Sequence, residues 1–508
     1  MNNGITVINL LRRASQLFPD RKVYGNMQLT YSELYSNVRK ISDSLNKMGI
    51  GNGTVIAVAD FNSIEFLELL FASSMAGAVI YPVNIKLPGA MGISTIRESG
   101  ASYLFASDPF LQAGIGKDFG RDHIISMSGN NEYTPFSNLL KGNMHSEDVY
   151  KSGNEYSILF TSGTTGKPKE IMYTNTDTVN GAMSILYQLG LFDSPASLNH
   201  EDNIMSLIPF YHIWSWGSPF HAAYLGSNYV LSGRYDAENI LKLIEKYSVT
   251  WINAVPTMVY DILAHDKNNT LNNLKMLIGG SSINRGLTEK LIGKNIKFSI
   301  IYGGTDMLAT AISMPSGKNI DYDYIRTTVH PVPLANISIR DSSGNDVGIG
   351  KMGEIFVNSP WLPGKYLNRE KSPEYEHGWF RTGDMGIKDK YGGIKILDRI
   401  SDVIKSGGEW IPTSILESII SEVPGVLNNA VIGIPDEKWG EKPVAYIQGS
   451  GKDMEISIKK ILGGSADSGI INKWWIPVRF SFINEMPLTS VGKNDKKKLR
   501  EMEVNNRH

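Results

Sequence analysis

Between residues 34 and 106 the chain alternates between two hydrophobic periods, and this alternation restricts its fold more than any other feature. Leu34, Val38, Ile41, Leu45 and Met48 recur at spacings of four and three, which puts them on one helix face, and Gly49, Gly51 and Gly53 then end that helix. Residues 55–59 form a short apolar run of strand length. Asn62 or Ser63 can cap a second helix reaching Met75, and Gly77 can take the left-handed conformation that closes it. Residues 78–82 and 103–106 read as further buried strands, so the units are βαβ and their strands pair in parallel. The same alternation returns at 204–208, 250–255, 275–278 and 297–301. The expected class is α/β, with mainly parallel sheets covered by helices.

A chain of 508 residues is longer than one hydrophobic core usually serves, so at least two domains are expected. Residues 336–357 change to short strands with Gly/Asn/Asp turns, a small barrel-like β region. After Arg399 come a loop, a helix at 414–422, a strand at 429–434 and a Lys-rich end. The division is therefore placed as residues 1–398, a large N-terminal domain, and 399–508, a small α+β C-terminal domain. Fifty basic residues against 51 acidic ones give no preference for nucleic acid or an acidic membrane surface. The one basic cluster, Lys493 to Arg500, reads as a solvated helix face apart from Lys493. The absence of cysteine excludes disulfides, thiol nucleophiles and cysteine metal sites. No charged segment followed by an apolar core opens the chain, so no signal peptide is expected. The most apolar window, 66–83, is interrupted by Glu68, Gly77 and Pro82, which argues against a membrane span and for a cytoplasmic protein.

The apolar run Ile158-Leu159-Phe160 leads into Thr161-Ser162-Gly163-Thr164-Thr165-Gly166-Lys167-Pro168-Lys169. Glycines let the backbone approach an anion and turn N–H groups toward it, hydroxyls donate to phosphate oxygens, and lysines neutralise charge. The loop is not a Walker A motif, because Pro168 follows Lys167 where a hydroxyl residue would have to reach magnesium. Composition alone leaves two readings open, a flexible surface turn and a phosphate site.

Residues 156–169 resemble the phosphate-binding signature of the acyl-adenylate-forming superfamily, which includes acyl-CoA synthetases and peptide-synthetase adenylation domains. Further matches follow in the family's order: Gly279-Gly280-Ser281, Tyr302-Gly303-Gly304-Thr305-Asp306, the segment Gly378 to Asp384, Asp398-Arg399, Ser406-Gly407-Gly408-Glu409-Trp410 and Gly492-Lys493. The resemblance spans nearly the whole chain and implies ATP, Mg2+, coenzyme A and a small carboxylic acid as ligands, no nucleic acid, and room for a homodimer. It implies that Thr161 and the loop Ser162, Gly163, Thr164, Thr165, Gly166 to Lys169 hold the β- and γ-phosphates. Gly279, Gly280 and Ser281 would line the adenine slot, Tyr302 with Gly303 beside it would stack on the base, and Thr305 would contact the α-phosphate. Asp306 and Thr161 would bind Mg2+, whose hardness suits oxygen ligands. Asp384 would accept from both ribose hydroxyls, with Arg399 donating to the same sugar. Lys493 matches the lysine that bridges the attacking carboxylate and the phosphate.

The chemistry explains the need for these residues. A carboxylate is a poor acyl donor, so its oxygen first attacks the α-phosphorus of ATP to give acyl-AMP and pyrophosphate. Lysines and N–H groups must bring two anions together, and water must be kept from the intermediate. In the family the small domain then rotates about a hinge two residues after the ribose-binding arginine and presents its Gly-Gly segment, here Gly407 and Gly408, to the coenzyme A thiol.

Three segments resemble medium- and long-chain fatty acyl-CoA synthetases in particular: 209–216, 404–411 and 473–477. Trp216 stands at the position of a tryptophan that gates the acyl tunnel, or else is a buried core aromatic. His212 gates the pocket, assists thiol attack, or is a structural histidine. Lys405 and Trp410 match nucleotide-contacting residues. The resemblance thus implies an ATP-dependent fatty acyl-CoA ligase, with an aryl- or short/branched-chain acyl-CoA ligase as the alternative. Two departures from the family's pattern, Asp306 where Glu is usual and Ser401 at the hinge, keep open a nucleotide-binding homologue with reduced turnover. Asp306 is a methylene short, so its metal must sit nearer the backbone or be held through water.

Overall fold

The computed structural model describes residues 5–130, 132–144, 155–161, 168–317, 319–367, 369, 372–407, 409–451, 453–488 and 494–505. The predicted helices and strands are present with small shifts of their ends. Tyr31–Lys47 is a helix whose Leu34, Val38, Ile41 and Leu45 are buried, and Thr30 with Glu33 forms its capping box. Ile64–Ala76 is capped by the Ser63 side chain and closed by Gly77 at φ 76°, a left-handed value that favours glycine. This helix is buried on all sides, and its polar Glu68 accepts a hydrogen bond from Asn37 Nδ2 at 2.8 Å.

Two large sheets carry the first four hundred residues. In one, Lys22–Tyr24, Tyr229–Leu231, Ile204–Ser206, Trp251–Ala254, Lys275–Gly279 and Lys297–Gly304 are parallel neighbours. Beyond Lys297–Gly304 this sheet turns antiparallel, and the short strands Asn336–Arg340 and Met352–Asn358 form its far edge. The expected barrel-like strands are thus continuous with the large sheet. The second sheet runs in parallel from Thr134–Pro135 through Tyr103–Ala106, Val55–Ala59 and Val79–Pro82 to Glu155–Phe160, and ends on the antiparallel strand Glu170–Thr174.

After Arg399 the chain builds a separate five-stranded sheet from Ile404–Ser406, Glu409–Ile411, Val426–Asp436, Gly440–Gly449 and Arg479–Phe482. Its helix Thr413–Ile420 is fastened to the large sheet by Asp398, whose Oδ2 accepts from the backbone N–H of Thr413 at 2.8 Å and of Ser414 at 3.3 Å. The basic C-terminal helix Lys496–Asn505 departs in part from the solvated face expected of it. Lys496 is half-buried against Glu417 at 2.8 Å and Asp398 at 3.9 Å, Leu499 is fully buried, and Arg500 pairs with Asp402 at 2.8 Å, while Lys497 and Lys498 are exposed. A composition count sees only the positive charge of this segment; the partly buried carboxylates that receive it, Asp398, Asp402 and Glu417, come from elsewhere in the chain. Among the described residues no helix is long and apolar enough to cross a membrane.

Candidate active site between the two large sheets

The phosphate-loop candidate springs from the edge of the second sheet, where Phe160 pairs with Glu170. Its neck is closed twice: Thr161 N–H donates to the Lys169 carbonyl at 2.9 Å, and Lys169 N–H donates to Thr161 Oγ1 at 3.2 Å. Residues Ser162, Gly163, Thr164, Thr165, Gly166 and Lys167 lie outside the described residues. The Lys169 ammonium reaches Glu374 Oε1 at 2.7 Å and sits 4.5 Å from the centre of the Tyr366 ring.

Facing this neck, the turn after strand Lys297–Gly304 is held by aromatic donors. Tyr173 O–H donates to the Thr305 carbonyl at 2.7 Å, Tyr375 O–H to that of Asp306 at 2.6 Å, and Trp361 Nε1–H to that of Met307 at 3.0 Å. The Asp306 carboxylate itself accepts from Tyr366 O–H at 2.5 Å. Burial raises the Asp306 pKa, opposed by the Tyr366 hydrogen bond and the Lys169 charge. Sequence reasoning identified Thr305 and Asp306 but missed Tyr173, Tyr366, Tyr375 and Glu374, which follow no spacing and are gathered only by the fold.

Asp384 and Arg399 are direct register partners on adjacent strands, and Arg399 Nε lies 2.8 Å from Asp384 Oδ1. Tyr302 O–H donates to Asp384 Oδ2 at 2.7 Å, which, after burial, is what holds the phenol well above its usual pKa. Gly279 ends strand Lys275–Gly279, where a Cβ would stand 2.4 Å from Ile301 Cγ2, so the position tolerates only glycine. Gly280 follows at φ 85°, and with Ser281, Gly303 and Thr305 it lines a cavity of about 240 Å³ between the two sheets.

Apolar parts of the wall come from Tyr81 and Phe160 on the side of the second sheet and from Ile208, Val255, Ile301 and Leu308 on that of the large one, interrupted by Asn84, Lys86, Thr178, Tyr211 and Thr257. His212 and Trp216 also line it. Burial, then the positive charge of Lys86, pushes His212 down to about 4, so the ring is neutral at physiological pH. Trp216 closes a left-handed turn in which Ile213, Trp214, Ser215 and Trp216 have φ of 48°, 49°, 57° and 55°. Each such residue costs roughly 1–2 kcal/mol, and a run of four stands only because its surroundings hold it. Trp214 Nε1–H donates to Ser157 Oγ at 3.1 Å, Ser215 Oγ–H to the Ile208 carbonyl at 2.6 Å, and Asn253 Nδ2–H to the Ser215 carbonyl at 2.8 Å.

Lys405 and Trp410 are cross-strand partners on the small sheet, with the ammonium 4.5 Å from the indole centre. Gly407 joins the two strands at φ 60°, and its N–H donates to the Trp439 carbonyl at 2.8 Å. The fold thus brings Thr161, Lys169, Thr305, Asp306, Tyr302, Asp384, Arg399, Gly280, Ser281, His212 and Trp216 around one region, while the given partners of Lys405 and Gly407 are on the small sheet. Gly408 and Lys493 lie outside the described residues.

Residues 11–367 match the AMP-binding enzyme family and residues 416–493 match the AMP-binding enzyme C-terminal domain. Among curated proteins, a long-chain-fatty-acid–CoA ligase of Thermus thermophilus is 29% identical over 99% of this chain and 97% of its own length. A medium-chain-fatty-acid–CoA ligase of Ectopseudomonas oleovorans is 28% identical over 99% and 96%. Among solved structures, o-succinylbenzoate CoA synthetase from Bacillus subtilis, in complex with its acyl-adenylate intermediate, superimposes with a TM-score of 0.81 at 24% identity, covering 97% of this chain and 98% of that one.

Proposed function

The chain belongs to the AMP-binding enzymes, and from that premise we propose that it joins a medium- or long-chain fatty acid to coenzyme A at the expense of ATP. It is an acyl-CoA ligase that works through an acyl adenylate. One observation supports the fatty acyl reading: the Gly280, Ser281 and Thr305 wall opens into a chamber lined in larger part by aliphatic and aromatic side chains, with Asn84, Lys86 and Thr178 among them. Each methylene buried there adds roughly 0.8 kcal/mol, which gives a pocket of this kind its selectivity.

In the first half-reaction a carboxylate oxygen attacks the α-phosphorus, the bond to the β-phosphate oxygen breaks, and pyrophosphate leaves. Lys493 bridges the two approaching anions, and the loop from Thr161 to Lys169 holds the leaving phosphates. Tyr302 and Arg399 fix Asp384 so that both its oxygens face the ribose diol in one orientation, which suits a bidentate acceptor. Thr161 and Asp306 would hold Mg2+; a single carboxylate with a hydroxyl fits an ion that takes most of its ligands from phosphates and water. When bound, the ion spreads the charge that builds on the phosphates.

In the second half-reaction the thiol sulfur attacks the acyl carbon, the thiol proton is released, and AMP leaves with the oxygen the acid contributed. Gly407 and Gly408 border the thiol's path. Neutral His212 orients the acyl carbonyl and cannot act as a standing cation, and the thiol proton passes to solvent. The passage from the antiparallel strands to the five-stranded sheet lies between Arg399 and Ile404, which supports a domain division just after Arg399, and Asp398, which accepts from the first N–H groups of a small-domain helix, supports a pivot close by.

An aryl-acid ligase is the second reading, favoured by the modest cavity and by Trp216 lying 3.1 Å from where a Gly279 side chain would begin. Pyrophosphate release over a panel of acids, with and without coenzyme A, separates the two. Dodecanoate driving release well above benzoate and 2-succinylbenzoate supports the fatty acyl reading, and the reverse order refutes it.

A further inference from the structure

We propose that Tyr366 is a positioning residue that sets the reach of Asp306 toward Mg2+ and holds the phosphate-binding Lys169 in the same grip. The inference rests on the nucleotide reading of the site given above.

The backbone at Asp306 is not free to move toward a metal. The carbonyls of Thr305, Asp306 and Met307 are each engaged by a separate aromatic donor, from Tyr173, Tyr375 and Trp361. An aspartate is one methylene shorter than a glutamate, so with its backbone fixed the carboxylate must be placed through its side chain. The Tyr366 hydroxyl does this, donating to Asp306 Oδ1 at 2.5 Å, which leaves Oδ2 to serve the metal.

Tyr366 is itself immobile. It is 2% exposed, its N–H donates to Ser372 Oγ at 2.9 Å, and its ring packs edge-on against Tyr375 at 5.4 Å. The face of this ring lies 4.5 Å from the Lys169 ammonium, which Glu374 holds at 2.7 Å. The chain Glu374–Lys169–Tyr366–Asp306 therefore sets an ion pair on one side of a polarisable ring and a carboxylate on the other, with the proposed phosphate ligand and metal ligand on the two sides of one phenol. Incoming triphosphate competes with Glu374 for the lysine while the hydroxyl keeps the carboxylate in place, so the anion and cation sites are registered to each other before nucleotide arrives. With the hydroxyl 2.5 Å from Oδ1, a side chain one methylene longer at 306 would have to displace it or bend away.

The test is Mn2+ binding to the full-length protein in the presence of excess ATP, followed by electron paramagnetic resonance, with thermal unfolding as the folding control. Tyr366→Phe keeps the ring beneath Lys169 and removes the hydroxyl. It is expected to weaken Mn2+ affinity about tenfold and to raise KM for MgATP in parallel, with KM for the acid unchanged. Asp306→Glu in the native background is expected to bind Mn2+ more weakly than the native chain, because the longer carboxylate meets the hydroxyl, and to recover when combined with Tyr366→Phe. Should Tyr366→Phe fail to fold, the comparison of Asp306→Glu with the native chain still decides. Native Mn2+ affinity in Tyr366→Phe, or affinity equal to or better than native in Asp306→Glu, overturns the proposal. Absence of any Mn2+·ATP binding by the native chain overturns the nucleotide reading beneath it.

Discussion

The two ends of the proposed site are built by different means. At the proposed phosphate end the described elements are fixed by directed polar contacts: the doubly closed neck at Thr161 and Lys169, the tyrosines on the Thr305–Asp306 turn, and the Asp384–Arg399 register pair. At the proposed acyl end the wall packs around a strained left-handed turn, Ile213 to Trp216, anchored through Ser157, the Ile208 carbonyl and Asn253. ATP is one molecule with fixed hydrogen-bonding groups, so its end can be specified by directed bonds. An acyl chain presents only methylenes, so its end is specified by shape, and shape is cheap to alter.

Substitutions at the two ends should therefore differ in kind. Lys493→Ala is expected to lower acyl-adenylate formation by roughly a thousandfold for every acid alike, while thiolysis of supplied acyl-AMP is largely retained; quenched single-turnover assays of the two half-reactions measure this. Pyrophosphate release at the native rate would break the comparison at its firmest point. Asp384→Ala removes a charge-assisted acceptor and should raise KM for ATP by about 10- to 100-fold without reordering the acids, as initial rates on an acid panel would show.

How far the sequence foretold this division follows from what fixes each part. The parallel strands and their helices were legible because burial imposes a period, and the caps at Ser63 and Gly77 lie within a few residues of what they cap. Thr305, Asp306, Asp384 and Arg399 were legible because each sits in a contiguous motif. Tyr366 and Glu374 were not, since Lys169 is some two hundred residues before Glu374 and no local pattern marks the pair. Lys496 was misread as solvated for the same reason: Glu417 is distant in sequence. The left-handed turn was invisible too, because Ile, Trp and Ser have no preference for that conformation; its neighbours impose it.

At the acyl end, His221 sharpens the comparison through pH. Its ring is fully buried behind the turn, Nε2 lies 2.8 Å from the Ala182 carbonyl, and burial pushes it down to about 4. Below about pH 6.5 the unfolded chain takes up a proton that the folded chain refuses until near pH 4, so this residue removes stability as pH falls through that window. His221→Gln should flatten the fall between pH 6.5 and 5 by about 2 kcal/mol in denaturant melts, and an unchanged slope would show that the turn opens to solvent. Trp216→Ala is expected to have the smallest effect and the most selective. It should favour longer acids by about fourfold in kcat/KM per methylene newly accommodated, with KM for ATP unchanged. A rise in KM for ATP of equal size would mean the two ends are not separable.

The central claim is that an acid oxygen captures the nucleotide at its α-phosphorus. It is tested most directly with dodecanoate labelled with 18O in its carboxyl group, incubated with ATP and coenzyme A, and mass analysis of the products. The account predicts one labelled oxygen in the AMP released and none in pyrophosphate. Label in pyrophosphate or inorganic phosphate, or unlabelled AMP accompanying acyl-CoA formation, would contradict it.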